Sequence, residues 1–108
     1  MDQLIQDKKT EIETDIKTNR IVLYMKGNKM APQCGFSSQV VQIVGSFEIP
    51  FEVRDVLQDD ILREAIKAYS DWPTIPQLYV DGEFIGGCDI VTELYQNGEL
   101  QAILTPKT

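Results

Sequence analysis

The sequence predicts an α/β fold in which helices flank a central four-stranded mixed β-sheet. Two observations carry this prediction. Short apolar, β-rich runs alternate with helical patterns along the first part of the chain, as they do in a βαβ unit. Further on, Asp81-Gly82 separates the strand-like runs QLYV and EFIG, which predicts a two-residue β-hairpin. With 108 residues the chain fits one domain, residues 1–108, around one buried core.

Four elements are predicted in the first half of the chain. Residues 2–18 form an amphipathic helix, whose apolar positions are Leu4, Ile5, Ile12 and Ile16. The apolar run 21–25 predicts a strand buried on both faces, and residues 27–33 a loop. A second helix is predicted over 35–47 from the helical spacing of Val40, Val41, Val44 and Phe47. The alternation of apolar and polar residues over 51–56 predicts a second strand, parallel to the first.

The second half of the chain adds a helix, the hairpin and a final helical region. Asp59 or Asp60 caps the third helix, which carries the apolar residues Ile61, Leu62, Ala65, Ile66 and Tyr69. After the hairpin, a helix begins near Asp89 and ends at Asn97-Gly98, with inward residues Ile90, Leu94 and Tyr95. A short helix from Glu99 to Leu104 follows. A βαβ unit followed by a ββα unit is the architecture of the thioredoxin-like folds.

Composition excludes several classes of function. The net charge of -7 repels phosphate backbones and anionic lipid surfaces, which argues against a nucleic-acid or membrane partner. The absence of histidine excludes a Cys-His nucleophile and a Cys/His zinc site. The first 20 residues carry acids and no apolar run, so no targeting signal is predicted and the expected location is the cytoplasm, where two distant cysteines stay reduced.

Cys34 is the first candidate for chemistry. It stands at the predicted start of a helix, where unpaired backbone N–H groups and the positive end of the helix dipole favour a thiolate. Lys26, at the end of the first strand, can add a positive charge. The alternative is that Cys34 is a small buried hydrophobe. Pro32, Gly35 and the neighbouring serines argue against it, because they are typical of an exposed turn.

The segment WPTIP, residues 72–76, is the second candidate. A proline after β-biased residues predicts a cis peptide bond, which would turn the backbone of Thr74 and Ile75 toward the Cys34 loop. Exposed N–H and C=O groups there can pair with an extended peptide. The alternative, an ordinary start of a strand, stays open.

The third candidate is GGCDI, residues 86–90, at the start of the last long helix. Gly86 and Gly87 allow close backbone approach, and the helix N-terminus after them can hold a carboxylate. For Cys88 a packing role of the side chain is favoured, with the backbone N–H as its functional part. Asp89 is the N-cap, an acceptor for a ligand ammonium, or both. Arg63 lies early in its helix, where a cation does not favour the dipole, so ligand binding is an alternative role.

Four separated motifs carry a family resemblance. CGFS at residues 34–37, with YMKG, WPTIPQLYV and GGCDI in order, resembles the monothiol glutaredoxins of the CGFS type, over about residues 21–100. The resemblance implies a thioredoxin-like fold that binds glutathione through Lys26, Arg63, Thr74, Ile75, Cys88 and Asp89. Lys26 and Arg63 would face the glycine carboxylate of glutathione, and the Thr74-Ile75 backbone would pair with its cysteinyl part. Cys88 and Asp89 would bind its γ-glutamyl end.

The resemblance also implies what the lone thiol does. A [2Fe–2S] cluster needs four thiolate ligands, and two chains with two bound glutathiones supply them through Cys34. The expected function is to assemble, carry and transfer [2Fe–2S] clusters as a glutathione-bridged homodimer, with BolA-like proteins and recipient apoproteins as partners. Gly35 and Phe36 would lie at the dimer contact. The alternatives are a glutathione-dependent oxidoreductase, at most a weak one, that acts on mixed disulfides through Cys34, and a module that regulates a partner.

Overall fold

The computed structural model describes residues 2–106 and has one mixed sheet with helices on both faces. Its α-helices are α1 (Asp2–Thr18), α2 (Gly35–Gly45), α3 (Asp60–Ser70), α4 (Cys88–Gln96) and α5 (Glu99–Leu104). Its strands are β1 (Ile21–Met25), β2 (Glu52–Asp55), β3 (Gln77–Val80) and β4 (Glu83–Gly86). A short 3₁₀ helix, Val56–Gln58, follows β2.

The strand order in the sheet is β2-β1-β3-β4. β1 pairs with β2 in parallel and with β3 antiparallel, so that Leu23 faces Val53 on one side and Leu78 on the other. β3 and β4 form the antiparallel hairpin. The predicted four-stranded mixed sheet, its βαβ and ββα units and the thioredoxin-like fold are therefore confirmed.

The side chains of β1 divide the core into two parts because successive residues of a strand point to opposite faces. Ile21, Leu23 and Met25 pack with residues of α2, α4 and α5. Val22 and Tyr24 pack with residues of α1 and α3. All five residues of β1 are buried, as predicted for a strand covered on both faces.

α1 closes one face of the sheet through Ile12 and Ile16, which are 1% and 2% exposed. Leu4, which was expected on the same apolar stripe, is 55% exposed. Leu4 therefore lies off the core, whereas Ile5 packs against its edge and Ile12 and Ile16 are the buried positions of the predicted amphipathic pattern. None of the helices in the described region is both long and apolar enough to cross a membrane.

Two predicted boundaries were too long. α2 ends at Gly45 rather than near residue 47, and Glu48 beyond it adopts a positive φ of 57°. β2 ends at Asp55 because the carboxylate of Asp55 accepts a hydrogen bond of 2.9 Å from the Leu57 N–H and starts the 3₁₀ turn. The alternation of apolar and polar residues over 51–56 therefore extends beyond the strand into the turn that follows it.

The hairpin is confirmed at the predicted position. Asp81 and Gly82 have φ values of 52° and 81°, and a type I′ turn requires a positive φ at both central residues. The side chain of Asp81 also pairs with Arg20, with a 2.9 Å contact between Oδ1 and Nε. The turn is therefore fixed both by its backbone and by an ion pair to the start of β1.

The last long helix differs from its prediction in two ways. Its N-cap is Gly87 and its first residue is Cys88, so the expectation that Asp89 is the N-cap was wrong. The buried residue of α4 is Val91, whereas Ile90 is half-buried and Tyr95 is 46% exposed. Val91 packs in the core with residues of β1, α2 and α5 and Leu94 packs against it as predicted, whereas Ile90 lies against Gly86 at the end of β4. The short helix Glu99–Leu104 is confirmed.

Candidate functional site

A groove of about 460 Å³ opens beside the start of α2. Four segments separated in sequence form its walls: the end of β1, the start of α2, the stretch before β3 and the start of α4. α3 adds one side chain. The lining residues are Lys26, Cys34, Phe36, Lys67, Trp72, Pro73, Thr74, Ile75, Pro76, Gly87, Cys88, Asp89 and Ile90. The fold thus brings together all three segments that the sequence singled out.

Cys34 is the N-cap residue of α2, with extended backbone angles (φ -150°, ψ 137°). Its thiol is free and half-buried. The backbone N–H of Ser37 is the main influence that lowers the pKa of the Cys34 thiol below its ordinary value; the N–H of Phe36, the charge of Lys26 and the Ser37 hydroxyl act in the same direction. Partial burial opposes them. An accessible thiol that favours its thiolate contradicts the alternative of an inert buried hydrophobe.

Lys26 is held beside Cys34 by its backbone. The Lys26 C=O accepts a 2.9 Å hydrogen bond from the Gln33 N–H, which closes the loop that precedes Cys34. Next to it, the Gly27 N–H donates to Asp55 Oδ1 at 2.9 Å. Gly27 has a φ of 93°, and a Cβ there would collide with the carbonyl oxygen of Ala31. This loop is therefore a closed turn that fixes Lys26 at the groove.

Ser37 occupies the position that a second cysteine would take in a C-x-x-C turn. The expectation that the serines near Cys34 lie in an exposed turn was wrong for this residue, because its exposure is 0%. The Ser37 hydroxyl accepts a 3.1 Å hydrogen bond from the Lys26 N–H. Ser37 therefore links the end of β1 to the first turn of α2 from inside the protein.

The segment before β3 has the predicted cis peptide bond, at Ile75-Pro76. The side-chain amide of Gln77, which is fully buried, donates 3.2 Å hydrogen bonds to the carbonyl oxygens of Trp72 and Thr74. Thr74 and Ile75 both line the groove, Thr74 exposed and Ile75 buried. The buried side chain of Gln77 thus holds in place the segment before β3, whose Thr74-Ile75 backbone was expected to face the Cys34 loop.

The start of α4 forms the opposite wall. Gly86 has a φ of 154°, and Gly87 lies close to the next wall, since a Cβ there would be 3.1 Å from the Pro76 carbonyl oxygen. Cys88 packs against the core and also lines the groove, and its Sγ is 4.0 Å from Thr92 Oγ1. The packing role expected for Cys88 is therefore correct, but its side chain also faces the cavity. Asp89 is exposed in the first turn of α4.

The cations at the groove are Lys26 and Lys67. Arg63, predicted to face the ligand, is exposed and lies outside the groove lining, one helical turn before Lys67. Its role stays a prediction. Lys67 was missed from the sequence, although its position four residues after Arg63 places both on one face of α3. That spacing was the available signal.

The described residues hold no group of three or more histidine, cysteine or carboxylate side chains that could bind a metal ion. Cys34 and Cys88 are both free thiols. Within residues 2–106, the chain therefore offers this groove the Cys34 thiol of lowered pKa, two lysines and the first turn of a helix, and these do not make a complete set of metal ligands.

Comparison with known proteins gives a consistent result. The glutaredoxin family profile matches residues 21–85, more than half of the chain. A monothiol glutaredoxin of Synechocystis, described as ycf64-like, is 56% identical over 98 residues, which are 91% of this chain and 92% of that protein. A probable monothiol glutaredoxin of Rickettsia typhi is 55% identical, over 90% of this chain and 87% of that one.

Solved structures show the same fold. The reduced apo form of poplar GrxS14 is 53% identical, with a TM-score of 0.76, over 87% of this chain and 86% of that one. A buckwheat glutaredoxin in complex with glutathione superposes with a TM-score of 0.85, over 96% of this chain and 93% of that one. At 21% identity the buckwheat protein supports the fold alone.

Proposed function

Since the chain belongs to the glutaredoxin family and its relatives are monothiol members, we propose that it binds glutathione in the groove and assembles, carries and transfers a [2Fe–2S] cluster. The active form would be a homodimer bridged by two glutathiones. The observation that carries this proposal is the single accessible thiol of lowered pKa, Cys34, in a groove with no other complete ligand set among the described residues.

The ligand count supports a shared cluster. A [2Fe–2S] cluster is held by four thiolates, and histidine, the usual substitute, does not occur in this sequence. One chain contributes Cys34, and one bound glutathione contributes a second thiolate. Two such halves complete the set without an internal dithiol. These four thiolates therefore fit a cluster that is held between two copies of the chain and can be transferred to another protein.

The groove suits a tripeptide with charged ends. Its volume of about 460 Å³ lies within the roughly 300 to 1,000 Å³ of small-molecule sites. Lys26 and Lys67 offer positive charge for a carboxylate, with Arg63 as a further expected contact. At the other wall, the first turn of α4 offers N–H groups for the γ-glutamyl carboxylate, and Asp89 an acceptor for its ammonium.

The backbone of Ile75 suits the cysteinyl part of glutathione. Among residues 2–106, no turn or loop hydrogen bond uses the Ile75 N–H or C=O. Both groups belong to a segment that lines the same groove as Cys34. Pairing with them in the manner of an added strand would place the glutathione sulfur beside the Cys34 sulfur.

The surface around Cys34 suits contact with a second copy. Phe36 is 62% exposed, and the space around the Gly35 Cα is open. A large exposed aromatic ring next to a reactive thiol is typical of an interface position. Phe36 would shield the cluster from water in the dimer. BolA-like proteins and recipient apoproteins are the proposed further partners, and the cytoplasm is the proposed location.

A second candidate is the reduction of protein-glutathione mixed disulfides. The Cys34 thiolate would attack the glutathione sulfur, release the target thiolate and form a Cys34-glutathione disulfide; a second glutathione thiolate would then release oxidised glutathione and restore Cys34. The lowered pKa of Cys34 supports this chemistry. Because residue 37 is a buried serine, no thiol at that position can replace the second glutathione.

Two cysteine variants test the ligand assignment. The protein is reconstituted anaerobically with iron, sulfide and glutathione, and its visible absorption and mass are recorded. Wild type and Cys88→Ser are expected to become coloured and dimeric, whereas Cys34→Ser stays colourless and monomeric. A coloured Cys34→Ser protein would show that another group binds the cluster. Rapid turnover of a glutathionylated substrate by a colourless wild-type monomer would favour the oxidoreductase.

A further inference from the structure

We propose that Asp55 is a positioning residue for Lys26: its carboxylate holds the peptide group that follows Lys26 and thereby keeps the lysine side chain at the groove. Asp55 itself lies outside the groove lining. The inference rests on the proposed function, because it explains how a cation expected to bind glutathione is held. One of its tests needs neither glutathione nor iron, so its failure can be told apart from failure of the cluster proposal.

The Lys26-Gly27 peptide group is held on both sides. Its C=O accepts a 2.9 Å hydrogen bond from the Gln33 N–H. Its N–H, which belongs to Gly27, donates to Asp55 Oδ1 at 2.9 Å. Because a peptide group is planar, bonds on its two sides fix its rotation about the chain, and this rotation sets the ψ angle of Lys26. The direction in which Lys26 leaves β1 therefore depends on the Asp55 carboxylate.

Gly27 makes such an external restraint necessary. Its φ is 93°, and glycine adopts positive and negative φ about equally readily, so the residue does not by itself hold the peptide in one orientation. A side chain cannot supply the restraint either, because a Cβ at position 27 would collide with the carbonyl oxygen of Ala31. The hydrogen bond from Asp55 supplies it from the neighbouring strand.

The sheet places Asp55 where this bond can form. β1 and β2 run parallel, and Met25, the last residue of β1, pairs with Asp55, the last residue of β2. Lys26 and Gly27 therefore leave the sheet at the edge where the Asp55 side chain lies. The same Oδ1 also accepts the Leu57 N–H at 2.9 Å, which starts the 3₁₀ turn. Two backbone donors, one from each strand end, thus hold the carboxylate in place.

A second contact joins the same loop to the start of β2. Lys29 Nζ donates to the Phe51 carbonyl oxygen at 2.6 Å and lies 4.1 Å from the centre of the Phe51 ring. Lys29 is exposed, and its contact is made by a long side chain beyond the Lys26-Gly27 peptide. A Lys29→Gln variant therefore reports general loosening of the loop, as distinct from release of that peptide.

The first experiment measures amide hydrogen exchange in the apo protein by NMR. Asp55→Ala is expected to speed exchange of the Gly27 and Gln33 N–H groups about tenfold relative to the buried amides of β1 in the same sample, as one lost hydrogen bond would. Asp55→Asn keeps an acceptor oxygen without the charge and is expected to exchange like wild type. Asp59→Ala, which removes the next N-cap along the chain, and Lys29→Gln are the controls and are expected to leave both rates unchanged.

The second experiment measures the affinity of the apo protein for glutathione by titration calorimetry. Asp55→Ala and Lys26→Gln are each expected to weaken binding about fivefold. The double variant is expected to bind no more weakly than Lys26→Gln alone, because Asp55 acts through Lys26. Asp59→Ala is expected to keep the wild-type affinity, although it also loses a helix cap.

A folded Asp55→Ala protein with wild-type exchange at Gly27 and Gln33 would overturn the proposal, even if its stability fell, because the carboxylate would then only cap the 3₁₀ turn. Unchanged glutathione affinity in that variant, or additive losses in the double variant, would overturn it as well. So would a folded Asp55→Asn protein that behaves like Asp55→Ala. If wild type binds no glutathione, the proposed function fails, and the exchange rates alone decide whether Asp55 orders the Lys26 peptide.

Discussion

Gly86 lies directly against Ile90, and a Cβ at position 86 would come within 2.7 Å of the Ile90 Cβ. The backbone of Gly86 also has a φ of 154°, which side chains rarely tolerate. The strand-to-helix junction of the groove therefore depends on a glycine at this position.

The first prediction follows from that contact. Gly86→Ala is expected to lower the free energy of unfolding by roughly 2 kcal/mol or more, because it adds backbone strain and a steric clash. Urea denaturation measures the change. Gly45→Ala is the matched control, since nothing lies within 4 Å of a Cβ there and the residue is helical. It is expected to be neutral or slightly stabilising. Equal destabilisation of both variants would refute the argument.

The second prediction concerns the start of α3. The Asp59 carboxylate accepts a 3.0 Å hydrogen bond from the Leu62 N–H and contacts Lys8 Nζ at 3.1 Å. Asp59→Ala is expected to cost about 1 kcal/mol of stability in urea denaturation. Asp59→Asn keeps a capping side chain and is expected to lose much less stability. Asp60→Ala, in the first turn, serves as the control for removal of an acid.

The pH dependence of this cap has a definite sign. The Leu62 N–H, followed by Lys8, lowers the pKa of Asp59 below its ordinary value of 3.8. A lowered pKa in the folded state means that the stabilisation is fully present above 3.8 and is lost as the pH falls through the folded-state pKa. The difference in stability between wild type and Asp59→Ala is therefore expected to shrink below pH 3.8. A stability difference between the two proteins that grows on acidification would contradict this prediction.

The third prediction links Cys34 to stability at alkaline pH. The Ser37 N–H is the main group that lowers the pKa of the folded Cys34 thiol from its ordinary value of 9.0. Between the folded-state pKa and 9.0 the unfolded chain binds the extra proton, so stability rises with pH across that window. The stabilisation that the Cys34 thiolate contributes is fully present above pH 9.0 and is lost as the pH falls through the folded-state pKa. The free energy of unfolding is measured by denaturation at several pH values for wild type and for Cys34→Ala. Wild type is expected to show this rise relative to the variant, and parallel curves of stability against pH would refute the prediction.

The fourth prediction concerns the cation that the sequence analysis missed. Lys67→Gln is expected to weaken glutathione binding to the apo protein about fivefold, which corresponds to roughly 1 kcal/mol for an exposed charge pair. Titration calorimetry or amide chemical shifts measure the affinity. Lys17→Gln removes the same charge from α1, where Lys17 pairs with Glu13 away from the groove. An equal loss in both variants would show a general charge effect.

Most of the fold could be predicted because its signals are local. The Asp81-Gly82 turn and the apolar run of β1 each depend on a few adjacent residues. The cis peptide bond at Ile75-Pro76 also lies where a short motif indicated it. The lowered pKa of the Cys34 thiol could be anticipated because its position at a helix start already favours a thiolate.

What the sequence did not show depends on tertiary packing. The burial of Ser37 requires β1 to pass beneath α2, and no local pattern reports that. Lys67 became a groove residue only once α3 was placed against the stretch before β3. Val91 rather than Ile90 is the buried residue of α4, because Val91 is the one that meets the core residues of β1 and α2. In each of these three cases the deciding neighbour is distant in sequence.

Anaerobic reconstitution with iron and sulfide, carried out once with glutathione and once without it, decides whether the cluster is shared between two chains and two glutathiones. Visible absorption reports the cluster, and the mass of the same sample under native conditions reports the assembly. We expect colour and a dimer that contains two glutathiones only when glutathione is present. A coloured monomer that forms without glutathione would contradict it, because a single chain would then hold the cluster alone.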